Sequence, residues 1–347
     1  MDREQVSNRI DKRGELETSG KEHAGCIIVG AGISGLMAAS ILKSSGMQVK
    51  ILEKSRGVGG RMATRRVDRF RFDHGAQKIR KGSDLFKSVL HSWLADKLLE
   101  ECNTDAFLDL SGESDQMPTY CSPGGLTAIP KHIAKGLDID MRCRITGLGY
   151  ERGGWYLTSD AGQNYRADAV ILTPPLPQIL ELLKREDRPF DAPEIEQLTG
   201  VTYEPCIAMM VGLDGPLPRF RDITPPRKSP IAAVIDNCVK GVSDNPGALT
   251  IHAGSEFSQT HYDSSDEVIE NLLMRELGFL VRKTPILTRI HRWRYSQVTA
   301  GLDKSHLLLH KTAPIGFAGD AFGAGGIEGS ALSGVSVAKA LLGVMSD

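Results

Sequence analysis

Apolar and polar positions change period along the chain, and the changes mark its elements. Cys26-Ile27-Ile28-Val29 is an unbroken, β-branched apolar run, the pattern of a strand buried on both faces. A glycine loop interrupts it from Gly30 to Gly35. Leu36, Ala39 and Leu42 then recur at helical spacing over 36–45, and Gly46 closes that helix. A second strand is expected over 48–53, which makes a βαβ start. Helices are predicted over 85–101 and from Pro123-Gly124-Gly125-Leu126 to Lys135. Alternation over 139–172, with turns at Gly153-Gly154 and Asp160-Ala161-Gly162, predicts an antiparallel meander. It closes on the buried strand Ala169-Val170-Ile171-Leu172, stopped by Pro174 and Pro175. Strand-like runs such as 206–211 fill a second domain, after which 314–320 reads as a strand and 328–344 as a final helix.

Composition narrows the class more than the fold. A chain of 347 residues is long enough for two domains. The formal net charge of -1 gives no electrostatic case for nucleic acid or an anionic membrane. Residues 1–24 are polar and rich in acids, lack the apolar stretch of a signal peptide, and read as a disordered extension. Beyond them no apolar run reads as long enough to span a bilayer. Cys26, Cys102, Cys121, Cys143, Cys206 and Cys238 form no C-x-x-C pair, so neither zinc nor a dithiol motif is signalled and no metal is expected. They read as reduced thiols, and the protein as cytoplasmic.

Three glycine motifs carry the chemistry. Gly30-Ala31-Gly32-Ile33-Ser34-Gly35 sits after a strand and before a helix, the context in which G-x-G-x-x-G holds a dinucleotide. The first glycine permits the turn, the second leaves space for pyrophosphate at the helix N-terminus, and the third lets helix and strand pack. Glu53 ends the second strand, where an acid bonds adenosine ribose. A basic loop follows, Lys54-Ser55-Arg56-Gly57-Val58-Gly59-Gly60-Arg61-Met62. Gly319-Asp320, then Gly325-Gly326-Ile327-Glu328-Gly329-Ser330-Ala331, returns to the first domain near the C-terminus.

Glu53 followed by Gly59-Gly60-Arg61 resembles the second FAD fingerprint of the amine-oxidase superfamily, and the terminal motif resembles its last one. The resemblance implies FAD: Arg61 would bond the pyrophosphate, Asp320 the ribityl chain or a phosphate oxygen, and the final helix would aim its N–H groups at the pyrimidine end of the flavin. The fold implied is α/β, a two-dinucleotide-binding-type FAD fold with a βαβ Rossmann-like domain and a second α+β substrate domain carrying an antiparallel sheet. The FAD-binding domain would take 25–80, 121–176 and 313–347, and the substrate domain 81–120 and 177–312. The cofactor residues expected are Gly30, Ala31, Gly32, Ile33, Ser34, Gly35, Glu53, Lys54, Gly60, Arg61, Met62, Ala76, Gln77, Ile145, Thr173, Pro174, Gly319, Asp320, Gly326, Ile327, Glu328, Gly329 and Ala331. No cysteine follows Cys238, so the flavin is expected to be non-covalent, with His74 the less favoured attachment point.

Glu53 to Arg66, Phe72-Asp73-His74-Gly75-Ala76-Gln77, His291-Arg292-Trp293-Arg294-Tyr295 and, more loosely, His252 to Ser258 are similar to the renalase-like branch. That resemblance spans most of the chain from Cys26 onward. It implies oxidation of isomeric dihydro-NAD(P), a small-molecule substrate, with O2 as acceptor. Lys78-Ile79 and Phe257 depart from the branch, which usually has aromatic residues after the Gly-Ala-Gln and tryptophan in the looser motif. Gln77, His252, Trp293 and Tyr295 are the candidates for lining the substrate pocket. For each, a structural role is the competing explanation: His252 as a satisfied strand histidine, Trp293 as core packing. Arg65, Arg66, Arg69 and Arg71 form a basic cluster of which Arg69 and Arg71 read as solvated surface. An amine or polyamine oxidase, a desaturase or isomerase on an apolar substrate, and a non-catalytic flavin module are the alternatives on the same fold.

Overall fold

The computed structural model describes residues 22–346 apart from 81, 111–117, 152, 185–191, 224–228 and 312. Of the expected polar extension, 1–21 lies outside the described residues. Its last three residues belong instead to the strand Glu22–Val29, pairing with Tyr165, Arg166 and Ala167. That strand end looks polar in sequence because the strand completing it lies far along the chain.

The first sheet is mixed. Its parallel part sets side by side Ile315–Phe317, Asn164–Leu172, Glu22–Val29, Val49–Glu53 and Asp138–Met141. The long strand Asn164–Leu172 serves twice. Its end pairs with Ile315–Phe317, while its start carries the antiparallel strands Gly154–Ser159 and Ile145–Glu151. The meander therefore begins at Ile145 and not at Ile139. Asp138–Met141 joins the parallel sheet because Arg142, at φ 57°, turns the chain between the two. Both faces are covered, which explains the unbroken apolar runs. Cys26, Ile28 and Ile51 pack with Leu36, Leu42 and Val337 on one side, and Ile27, Val170 and Leu172 with Trp155 and Phe317 on the other.

Helix Ile33–Ser44 lies against the final helix Gly326–Ser346. A Cβ on Gly334 would sit 2.1 Å from the Ser34 carbonyl oxygen, so only glycine allows this approach. By length and composition the final helix is apolar enough to cross a membrane, contrary to the reading of the sequence. Glu328 and Lys339 break its apolar run for the eye, but the remaining Gly, Ala, Val and Leu residues carry the average. Its buried Val337, Ala338 and Leu341 belong to the sheet core.

The second sheet is antiparallel, in the order Leu287–Ala300, Thr202–Gly212, Ala248–Ala253, Ile231–Asp236, Phe107–Asp109. Ile269 and Leu273 of helix Asp266–Glu276 fill the core beneath it. The expected α/β architecture with a second, antiparallel sheet is the one observed. Helix Asp84–Ala95 is shorter than expected, because Lys97 at φ 55° turns the chain toward the strand Glu100–Glu101. Helix Ala128–Ile133 is also shorter: Gly124 and Gly125 take positive φ and form a turn ahead of it.

A small sheet holds Thr119–Cys121 between Ile79–Arg80 and Glu100–Glu101. There Cys102 and Cys121 form a disulfide, so the expectation of six reduced thiols fails for these two. Local spacing carries no mark of a pair brought together by strand register. The pairing also removes the reduced-thiol argument for a cytoplasmic location.

Candidate active site

The three glycine motifs converge. Gly30 takes φ 103°, and a Cβ on Gly35 would lie 2.1 Å from the Gly30 carbonyl oxygen. Those two glycines are demanded by the chain itself. Gly32 is different: a Cβ there would meet nothing within 4 Å, at the N-cap of helix Ile33–Ser44. Ser34, in the first turn, has a buried hydroxyl with no hydrogen-bond partner. An open N-terminus beside an orphaned hydroxyl fits a phosphate group. Gly59 N–H donates to the Ala31 carbonyl at 2.9 Å, and a Cβ on Gly60 would lie 3.7 Å from the Gly32 Cα. The second loop therefore closes on the first.

Glu53 is buried beside the loop, its Oε2 accepting Ala31 N–H and its Oε1 accepting Ser55 N–H, both at 2.7 Å. Arg61 ties the second motif to the third. Its Nη1 lies 2.5 Å from Asp320 Oδ2 and also donates to the carbonyls of Tyr295 and Ser296. Thr173 Oγ1 donates to the Val29 carbonyl at 2.8 Å, which brings Thr173 and Pro174 to the same loop. Gly319 N–H donates to Ser333 Oγ, anchoring the third motif on the final helix. Gly326 opens that helix at φ 59°. These residues fit FAD: open backbone for pyrophosphate, an acid for ribose, and a partly buried ion pair beyond.

Other expected cofactor residues fall around this frame. Met62, Ile33 and Ala331 share a buried cluster with Ala76 and Ile327 at its edge, and Gly329 N–H bonds the Gly325 carbonyl. Ile145 packs against the sheet core that contains Val29 and Leu52. Lys54 points away to Gln178 Oε1 at 2.9 Å. Glu328 is also engaged elsewhere, its carboxylate accepting Ser83 N–H at 2.8 Å and so tying the final helix to helix Asp84–Ala95. Arg69 and Arg71 reach the exposed Asp214 and Asp244, as a solvated face would.

A second group of side chains gathers where the antiparallel sheet meets the Phe72 to Gln77 segment. Gln77 Nε2 donates to the carbonyls of Asp73 and Gly75 and lies 3.4 Å from His252 Nε2. Trp293 Nε1 donates to the His74 carbonyl at 2.9 Å, and His252 Nε2 lies 3.4 Å from that oxygen. The rings of His74, His291 and Trp293 are mutually packed, with centroids 4.2–5.2 Å apart. Burial pulls His74 down to about 3 and His252 down to about 4, and it lowers His291 as well. All three are neutral at pH 7.

Three of the four candidate pocket residues thus come together, and Tyr295 does not join them. Its ring packs edge to face on Tyr203 at 5.5 Å, and its carbonyl faces Arg61. Phe257 packs on the core below the antiparallel sheet and on His261. The sequence reading missed the role of Asp73 and overlooked Lys240 entirely. Asp73 lay in a quoted motif, whereas Lys240 stands in a loop with no recognisable signal. It sits in the turn after the strand Ile231–Asp236, its N–H donating to the Asp236 carbonyl at 2.9 Å.

Fold and site define a Rossmann-type flavoprotein. Residues 84–342 match the model of flavin containing amine oxidoreductases, and 28–93 match that of an NAD(P)-binding Rossmann-like domain. The chain belongs to the flavin containing amine oxidoreductase family, is a flavin-dependent oxidoreductase, and takes FAD as cofactor. It is similar to a renalase of Mus musculus, 25% identical over 336 residues that cover 91% of this chain and 98% of that protein. An L-amino-acid oxidase of Bothrops pauloensis is 48% identical over 60 residues, 17% of this chain and 12% of that one. Among solved structures, a putrescine oxidase bound to putrescine shares the fold with a TM-score of 0.70 at 14% identity, covering 93% of this chain and 100% of that one.

Proposed function

We propose that the protein oxidises isomeric dihydro-NAD(P), with non-covalent FAD as hydride acceptor and O2 as final oxidant. The observation that carries the proposal is the wall of Gln77, His252, His74, His291 and Trp293, in which burial keeps three imidazoles neutral. A dihydronicotinamide becomes an aromatic cation when it loses hydride. Neutral rings add no further positive charge beside it, whereas imidazolium groups would repel it. No side chain has to remove a proton. When bound, FAD supplies the two-electron acceptor. The chain's own residues orient the donor and exclude water: Gln77 and His252 offer polar groups to a carboxamide, and Trp293 an apolar face. Overall, one dihydronicotinamide, one O2 and one proton give one nicotinamide cation and one hydrogen peroxide. Likeness to a renalase over nearly the whole of both chains supports the same substrate class.

Amine oxidation is the second reading, favoured by the family model. An aromatic cage would hold an ammonium group between facing rings. The Tyr203–Tyr295 pair is packed ring edge to ring face, with an interplanar angle of 71°, and leaves no such slot. Anaerobic titration of the FAD-loaded protein separates the readings. Bleaching of the flavin band by dihydro-NAD(P) isomers is the expected result. Bleaching by putrescine alone would move the protein to the amine oxidases.

A further inference from the structure

Lys240 and Asp73 form an ion pair at 2.9 Å whose side chains are 0% and 1% exposed. A buried pair of this kind is weak support for stability, because apolar side chains of similar volume often serve the fold as well. The Asp73 carboxylate also has other donors, Thr64 Oγ1 at 2.5 Å and Leu126 N–H at 3.1 Å. The lysine has a second acceptor: its Nζ donates to Gln77 Oε1 at 2.9 Å. An ammonium group has donors only, so it accepts nothing but the oxygen end of that amide. The Gln77 NH2 group is then turned toward the Asp73 and Gly75 carbonyls and His252. The Asp73 carbonyl is itself fixed by Thr250 Oγ1 at 2.9 Å, and Thr250 is held by Asn237.

We propose that Lys240 is a positioning residue for hydride transfer: anchored on Asp73, it locks the Gln77 amide in one orientation at the donor wall and polarises it. The proposal rests on the reading above, that Gln77 lines the donor pocket. Loss of the ammonium group would leave Gln77 one charge-assisted bond poorer and its oxygen unanchored, with only its NH2 contacts to the Asp73 and Gly75 carbonyls and His252 to hold it. The effect belongs to the limiting rate of flavin reduction more than to FAD retention.

The test is a double-mutant cycle of Lys240→Met and Gln77→Ala in FAD-loaded enzyme. The readouts are the limiting rate of anaerobic flavin bleaching and the donor concentration giving half that rate. Both dihydro-NAD(P) isomers and putrescine are used, and the cycle is run with whichever bleaches the wild type. Lys240→Met is expected to slow the limiting rate about tenfold when Gln77 is present, and less than about twofold when it is alanine. Equal losses in both backgrounds, or a loss that follows FAD content alone, would overturn the proposal. If Lys240→Met fails to fold, Asp73→Asn/Lys240→Met removes both charges and takes its place, with the same expectation. Failure of both to fold would assign the lysine to the fold alone and likewise overturn the proposal. Bleaching by putrescine with coupled mutants would sink the substrate reading and leave Lys240 standing. Bleaching by dihydro-NAD(P) without coupling would do the reverse, and a flavin that neither donor bleaches would sink both.

Discussion

The two ends of the site are built from different materials. The cofactor end is drawn by backbone: Gly30, Gly32 and Gly35 shape a loop, and Gly59 and Gly60 close on it. The proposed donor end is drawn by side chains that meet only after folding. Gln77 follows the hairpin of strands Thr64–Val67 and Phe70–Asp73, His252 sits in one strand of the antiparallel sheet, Trp293 in another, and Lys240 in a loop between strands. A backbone site tolerates little change and names its ligand. A side-chain site can be altered piece by piece and decides what reacts.

Glycine variants should break that comparison most sharply. Gly35→Ala sets a methyl group 2.1 Å from the Gly30 carbonyl oxygen, backbone against backbone, so the βαβ unit cannot relax around it. A stability loss of roughly 3 kcal/mol or more is expected, with little soluble protein. Gly32→Val meets open space and should keep its thermal midpoint in the FAD-free state, while FAD affinity falls about a hundredfold or more. Thermal melts paired with flavin content decide the matter. A Gly32→Val protein that retains yellow FAD would remove the pyrophosphate from this loop.

The donor wall should respond in rate and not in cofactor content. His252→Ala is expected to slow anaerobic flavin reduction about ten- to hundredfold while the protein purifies with its FAD. Equal loss of FAD and rate would place His252 in the cofactor end and erase the distinction between the two ends.

Acid should act on the donor wall through its buried imidazoles. His74 and His252 lie near 3 and 4 in the folded protein, well below the value of about 6.5 they take when unfolded. The unfolded chain therefore takes up protons first. Stability from keeping these rings neutral is fully present above pH 6.5 and is lost as pH falls toward 4 and then 3. Each pH unit in which one such ring is charged only when unfolded costs about 1.4 kcal/mol. Melting temperature followed from pH 7 to pH 4 should fall less steeply for His252→Asn than for wild type, and parallel slopes would show that His252 is not held neutral by the fold.

This division also explains what the sequence revealed. Each glycine motif is a short contiguous run, so Gly30 to Gly35 with Glu53 marked a dinucleotide site by spacing, while Gly59-Gly60-Arg61 and the return at Gly319-Asp320 were read by resemblance. Ala24, the disulfide partners Cys102 and Cys121, and the parallel strand Asp138–Met141 were misread because each depends on a partner distant in sequence. Lys240 is the extreme case: nothing near it in the chain marks it, and only burial against Asp73 and Gln77 gives it meaning.

Tyr295 stands on the boundary and should give the smallest effect. It was a candidate for the donor pocket by its place in the motif His291 to Tyr295. In the structure its carbonyl, which any residue would supply, accepts from Arg61 at 3.1 Å. Its ring lies edge to face on Tyr203, whose hydroxyl accepts Leu176 N–H at 3.3 Å and whose ionisation burial makes harder. Nothing in that arrangement asks for the Tyr295 hydroxyl. Tyr295→Phe keeps ring, carbonyl and the Arg61–Asp320 contact, and is expected to change flavin reduction less than about twofold, whereas Tyr295→Ala should loosen FAD through the packing beside Arg61. A tenfold slower reduction in Tyr295→Phe with full FAD content would move the tyrosine hydroxyl to the donor end, and the wall at Gln77, His252 and Trp293 would then extend to the ion pair that joins the second and third glycine motifs.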